Sequence, residues 1–299
     1  MSRRVKILLS AAVVIGLLLI LFAVFGSAGK NDAFQPQNEF KLDPWIPIHV
    51  GPLDLSINKA VLYLWIAAAL TIGTMLWIAN RMTARPNRVQ TAVEAAFLLM
   101  RDTITRGNME DRMARRWFPF VGTLFLFIWF SNMIGYIPLP TNTHETFNLF
   151  GIAVPSFAIY AATANISVPL VLTLVVWFAY HVEGIRAKGL RGYLKSWIPA
   201  GTPRGLRPGI FVIEVISQFV RIISLSVRLF ANILAGHLLI LFMGGGLVVL
   251  LGLAALGALT LPVAVAFFLF EVVLISTLQA FIFATLTAIY FGGAVAESH

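Results

Sequence analysis

Long apolar runs, separated by short polar and mostly basic stretches, set the rhythm of this chain. The runs cover residues 7–25, 59–79, 118–137, 156–180, 210–243 and 247–291. About 20 apolar residues span a bilayer core, so each run predicts at least one crossing. The runs are continuous or have a helical period; they lack the ten-residue alternation of an outer-membrane barrel. The pattern predicts an all-α polytopic membrane protein with five to six membrane helices. The last two runs exceed what a crossing needs. About 35 helical residues extend about 50 Å against a core of about 30 Å, and tilts rarely exceed about 40°. Either each run breaks, with Pro262 as a candidate kink, or the two form a long, strongly tilted hairpin that bends at Gly244 to Gly246. An inclined hairpin suits a protein that lies along a cylindrical neighbour.

The remaining segments are read around these runs. Residues 1–29 place Arg3, Arg4 and Lys6 before an apolar stretch from Ile7 to Phe25, followed by Gly26-Ser-Ala-Gly29. This is either a cleaved signal segment or a retained hydrophobic helix, and its length favours the helix. Residues 30–58 contain Pro36, Pro44, Trp45, Pro47 and Pro52, an interfacial segment outside the membrane. Residues 59–299 form the membrane domain. Between Arg81 and Arg116, the side chains Val89, Val93, Ala96, Phe97, Met100 and Ile104 share one helical face. That face predicts an amphipathic helix on the membrane surface or against a partner subunit. Pro169, inside the fourth run, is expected to kink it.

Composition sharpens the class. Hydrophobic residues make up 59% of the chain and charged residues 12%, about half the charge of a typical soluble domain. The net charge of +9 is not a nucleic-acid footprint, because the basic residues concentrate in 81–116 and 181–207, while 138–155 has none. By the positive-inside rule the two basic loops are cytoplasmic and the bare one faces out, with attraction to anionic lipid as a second effect. Cysteine is absent, which excludes disulfides and thiolate metal sites. No cofactor or metal is expected.

Polar groups inside greasy runs carry the candidate chemistry. A charge at mid-membrane depth costs roughly 3 kcal/mol, so Arg228 calls for a reason. It either serves ion movement, pairs with a buried carboxylate, or lies near an interface. Glu214, Ser217, Arg221, Ser224, Arg228 and Asn232 fall within a sector of roughly 80° on an ideal helix. Such a polar stripe points to a water-lined path. His237, nine positions after Arg228, projects from the opposite face. On the final run, Glu271 and Gln279 stand among apolar neighbours. Glu271 is either a proton relay with His237 or half of a static pair; Gln279 is either part of the path or a helix–helix contact.

At these residues the chain resembles subunit a of F-type ATP synthases. Ser226 to His237 resembles that family's signature helix and Leu278 to Phe283 its partner on the last helix. Asn132 to Pro138, Thr163 to Asn165, Glu183 to Gly189 with Tyr193 and Lys195, and Pro86 to Arg88 with Glu94 also resemble it, over roughly residues 40–292. The resemblance implies a non-catalytic subunit with two offset proton half-channels, in which Arg228 meets the carboxylates of a rotating c-subunit ring. It implies peripheral stalk b subunits, and indirectly the catalytic head, as further partners, in a bacterial inner membrane. The proton-path hairpin would span 208–293. Glu214 and Ser224 would belong to the inner half-channel and His237 to the outer one, with Asn232 and Gln279 beside the arginine. Many family members place an acidic residue or His seven positions before the glutamine. Here Glu271 is eight before and Val272 holds that place, a rotation of about 100° on an ideal helix. Asn165 stands where some members carry Asp.

Two other classes fit the sequence less well. A secondary transporter would show two repeated halves with broken helices, and none are visible. An intramembrane zinc protease would carry His-Glu-x-x-His, which is absent.

Overall fold

The computed structural model describes residues 44–51, 53–54, 56–83, 87–137, 146–149, 152–155, 161–199, 201–243 and 257–296, with Val5, Gly16, Ile20 and Leu42 as single positions. The segment expected at 1–29, apart from those single positions, and the glycine bend at 244–246 lie outside the described residues, as does most of 30–43.

Seven helices account for most of what is described. They are α1 (Lys59–Arg81), α2 (Arg88–Leu98), α3 (Asp111–Ile134), α4 (Ser167–Ser196), α5 (Arg207–Leu241), α6 (Gly257–Phe270) and α7 (Ser276–Val295). A π-helical stretch, Leu99–Arg106, continues α2, and a second, Glu271–Ile275, joins α6 to α7. Short antiparallel pairs, His49–Val50 with Leu53–Asp54 and Thr146–Leu149 with Ile152–Pro155, lie outside the helices. Five stretches are long and apolar enough to cross a membrane: α1, α3, α4, α5 and the run Thr260–Val295. The chain is an all-α polytopic membrane protein.

Local chemistry sets several helix ends. Asn58 caps α1 by accepting the amide of Val61 at 3.2 Å, and Asn87 caps α2 by accepting that of Gln90 at 2.8 Å. The expected kink at Pro169 is not found. Helix α4 begins at Ser167, so Pro169 lies in the first turn, where a missing N–H costs nothing. The break in α4 falls at Gly189, with φ 70° and ψ 160°, a left-handed backbone that glycine adopts readily.

The chain divides into two compact units. The larger comprises 42–140, 159–234 and 272–299; the smaller comprises 1–41, 141–158 and 235–271. The core of the larger unit lies between α3 and α7. Val121, Leu124, Phe125 and Ile128 pack with Phe283 and Phe291, and Ala280, Ala284 and Ala288 line one face of α7. Trp117 meets Phe291 at 4.2 Å between ring centroids. The amphipathic face of α2 is claimed by this same core. Phe97 packs edge-on against Phe118 at 5.0 Å, and Met100 and Ile104 are buried, while Val89 stays exposed. Its own chain covers the C-terminal half of that face.

Beside it, the Arg101 guanidinium bonds both oxygens of Asp102, at 2.9 and 3.0 Å, and Arg106 adds a bond at 3.1 Å. The bond from Arg101 is the main reason the Asp102 carboxyl lies below its usual range, despite a smaller opposing desolvation. A lowered folded pKa stabilises above the unfolded value, and that contribution is lost as pH falls through the folded one. The pair is open to solvent on one side, so screening makes the effect small. Replacing Asp102 with Asn is expected to leave assembly at pH 7 unchanged and to flatten only the acid limb of a stability–pH profile, measured by thermal unfolding in detergent.

Candidate functional site

Helix α5 carries most of the candidate residues. Its packed side is formed by Gln218, Leu225, Ser226, Leu229 and Ile233, all buried. Its other side is open, with Val212, Ile213, Ile216, Phe219, Val220, Ile223 and Val227 exposed. Ser224, Arg228 and Asn232 are also exposed. Arg228 lies about 100° round the helix from buried Leu229, so it stands at the margin where the packed face gives way to the open one. The polar stripe read from the sequence therefore runs along an edge.

The two ends of the stripe behave differently. Toward the N-terminus it turns into the larger unit. The Arg221 Nη2 group donates to Glu214 Oε1 at 3.2 Å, and Gln218 Nε2 donates to the same oxygen at 2.8 Å. Gln218 Oε1 in turn accepts the Tyr180 hydroxyl at 2.7 Å. The Arg221 guanidinium stands over the Tyr290 ring, 5.3 Å from its centroid. These groups, with Tyr193, Ser196 and Trp197, line a cavity of about 320 Å³. Farther along, the stripe has no such partners among the described residues. Among the described residues, carboxylates pair with Arg101, Arg106, Arg116 and Arg221, and Arg228 is outside that set.

Gln279 is buried at 4% exposure on α7, beside Ser276, Ala280 and Phe283 on the packed side. That side of α7 is tied to the rest of the larger unit. The Asn132 Nδ2 group reaches the Ser276 carbonyl at 3.4 Å, Thr163 donates to Asn132 Oδ1 at 2.7 Å, and Trp129 Nε1 donates to Thr277 at 3.1 Å. Asn165 has a local task, accepting the Ser167 amide at 3.0 Å at the start of α4. In the smaller unit His237 is half-buried and Glu271 is buried. The neighbouring Gly236 approaches so closely that an added Cβ would collide with the Glu271 carboxylate.

The segment read from the sequence as a basic loop after residue 180 is helical as far as Ser196, so Glu183, Gly184 and Tyr193 lie within α4. Glu183, buried at 6% exposure, accepts Arg116 at 2.9 Å, and the Tyr193 ring lies against Gly184 with no room for a Cβ. The sequence reading passed over Gln218 and Tyr180. The available signal for Gln218 was its place one turn after Glu214; for Tyr180, only the pairing of α4 with α5 reveals it.

Five apolar stretches, one of them with an exposed arginine at the edge of its open face and no carboxylate paired to it among the described residues, define a class: a multi-pass membrane protein with a charge inside an apolar segment. Residues 61–292 match the family model described as ATP synthase A chain. The chain is 36% identical over 247 residues to the ATP synthase subunit a of Rubrobacter xylanophilus, covering 82% of this chain and 86% of that protein. It is 33% identical over 276 residues to that of Parvibaculum lavamentivorans, covering 91% and 97%. To that of Myxococcus xanthus it is 35% identical over 252 residues, covering 83% and 76%. The chain belongs to the ATP synthase A chain family. It is thus a non-catalytic, proton-conducting subunit of an F-type ATP synthase in an energy-transducing membrane.

Proposed function

We propose that Arg228 faces the carboxylates of a rotating c-subunit ring and separates two offset proton half-channels. The observation that carries this reading is its exposure at the edge of the open apolar face of α5, with no carboxylate of its own chain paired to it among the described residues. A cation stranded among apolar side chains needs a partner, and a passing ring carboxylate supplies one. Asn232 and Gln279 lie beside the arginine in this reading. The inner half-channel opens at the cavity by Glu214, whose fixed Oε1 leaves the second oxygen to meet water, and continues along Ser224. His237 and Glu271 belong to the outer half-channel. The proton-path hairpin spans 208–293 within a membrane domain of 59–299, with 1–29 a hydrophobic helix or signal segment and 30–58 an interfacial segment on the outer side. In this reading the basic segments 81–116 and 181–207 face the cytoplasm of a bacterium, with the chain in its inner membrane. Peripheral stalk b subunits hold it against the ring, and the catalytic head is reached through them.

The absence of cysteine makes a clean test available. Cysteines introduced at Ile223 and Val227, exposed at 61% and 39%, should cross-link to a cysteine on the outer helix of the ring. One at Ile233, fully buried, should not. Assembled complex without cross-links at 223 and 227 would place the ring elsewhere.

A further inference from the structure

The family resemblance places Glu271 out of phase with Gln279 by one residue, yet the burial pattern along this helix says otherwise. On α7 the buried positions step by three or four residues: Ser276, Gln279 and Ala280, Phe283 and Ala284, Thr287 and Ala288, Phe291. Continued backward from Ser276 with the same spacing, the packed face would next fall at Val272. Instead Val272 is only half-buried, Val273 and Leu274 are exposed at 67% and 49%, and the buried residue is Glu271. The step from Ser276 to Glu271 is five residues, and those residues form the π-helical stretch Glu271–Ile275. A π turn closes its hydrogen bond over i to i+5 and so takes up one extra residue within a single turn.

A second observation shows that the position was fitted to a carboxylate. In the smaller unit Gly236, buried, leaves space that the Glu271 carboxyl group fills, and any side chain at 236 would occupy it. Gly236 precedes His237 directly on α5.

We propose that the π turn at Glu271–Ile275 is a register element. It carries the outer-channel carboxylate one position earlier in the chain while keeping it on the packed side of the helix, and Gly236 is its seat. Glu271, and not position 272, is then the proton-carrying residue of this chain, with the π turn and Gly236 as positioning elements. The inference rests on the proton-path reading above.

The test uses the assembled complex in inverted membrane vesicles, with passive proton conduction measured after the catalytic head is stripped. Assembly is checked by co-purification with the ring. Glu271→Gln is expected to lower conduction at least tenfold. Glu271→Val combined with Val272→Glu, which puts the carboxylate where an uninterrupted helix would want it, should be as low. Deleting Val273 removes an exposed side chain and turns the five-residue step into four, so it should conduct within about twofold of the parent. Gly236→Ala should lower conduction, and adding Glu271→Asp to it should restore part of the loss. The register proposal is overturned if the Val273 deletion fails to assemble or conducts no better than Glu271→Gln. It is also overturned if the relocated carboxylate at 272 conducts normally, or if Gly236→Ala has no effect. Unchanged conduction in Glu271→Gln would instead remove Glu271 from the path and sink the underlying reading.

Discussion

Arg228→Ala is expected to abolish proton-driven ATP synthesis, to below about 1% of the parent, while the complex still assembles. The magnitude follows from the proposed encounter. An ionised carboxylate in the bilayer core costs roughly 3 kcal/mol on insertion scales, and each 1.4 kcal/mol is about a factor of ten in rate. Without the guanidinium, passage of an ionised ring carboxylate slows by more than about a hundredfold. A carboxyl that passes protonated carries its proton directly from one half-channel to the other, so the gradient leaks away without turning the ring. Assembly survives because Arg228 is exposed and forms none of the ion pairs seen among the described residues. The measurements are ATP synthesis in energised inverted vesicles and the yield of subunit a in purified complex. Parental synthesis rates in an intact Arg228→Ala complex would remove this residue from the coupling step.

How much of this could be read from residues alone depends on what each inference needs. The membrane class and the five long helices follow from apolar run length, which is a local property. Glu214, Arg221 and Arg228 were legible as a stripe because an α-helix turns about 100° per residue, and α5 is one uninterrupted helix from Arg207 to Leu241. The division of that stripe was not legible. Whether Glu214 bonds inward and Arg228 stands open depends on where α4 and α7 pack, as the Tyr180 bond to Gln218 shows. The same constant-turn assumption failed at Glu271. A single π turn breaks the count, and no propensity marks Glu271–Ile275 in advance as the place where an extra residue is absorbed. Pro169 misled for a related reason: its meaning depends on the start of α4, and the boundary at Ser167 moves it from a helix interior to a first turn.

The other large expected effect is on folding. Gly135→Val should all but eliminate the protein from membranes, with Gly135→Ala intermediate. Gly135 ends α3 with φ −62° and ψ −17°, a conformation open to any residue, so backbone freedom is not what requires glycine there. Space is the constraint. A Cβ at 135 would lie 2.5 Å from the Ala161 Cβ, 2.7 Å from its Cα and 2.9 Å from its amide nitrogen. Two of these are backbone atoms that cannot swing aside. The segment they belong to is pinned, since Ala161, Ala162 and Thr163 are all buried at 1% exposure or less. Thr163 also holds Asn132, which reaches the Ser276 carbonyl on α7. Pushing α3 away from Ala161 would therefore loosen the helix that carries Gln279. Overpacking costs typically 1–3 kcal/mol, and more where the backbone must move, a large share of the roughly 5–15 kcal/mol that holds a fold together. Gly73→Val is the control: nothing lies within 4 Å of a Cβ built there, in the middle of α1. Immunoblots of membranes should show Gly73→Val near the parental level and Gly135→Val nearly absent. Equal abundance of the two would mean that the close approach of α3 to residues 161–163 is not needed for folding.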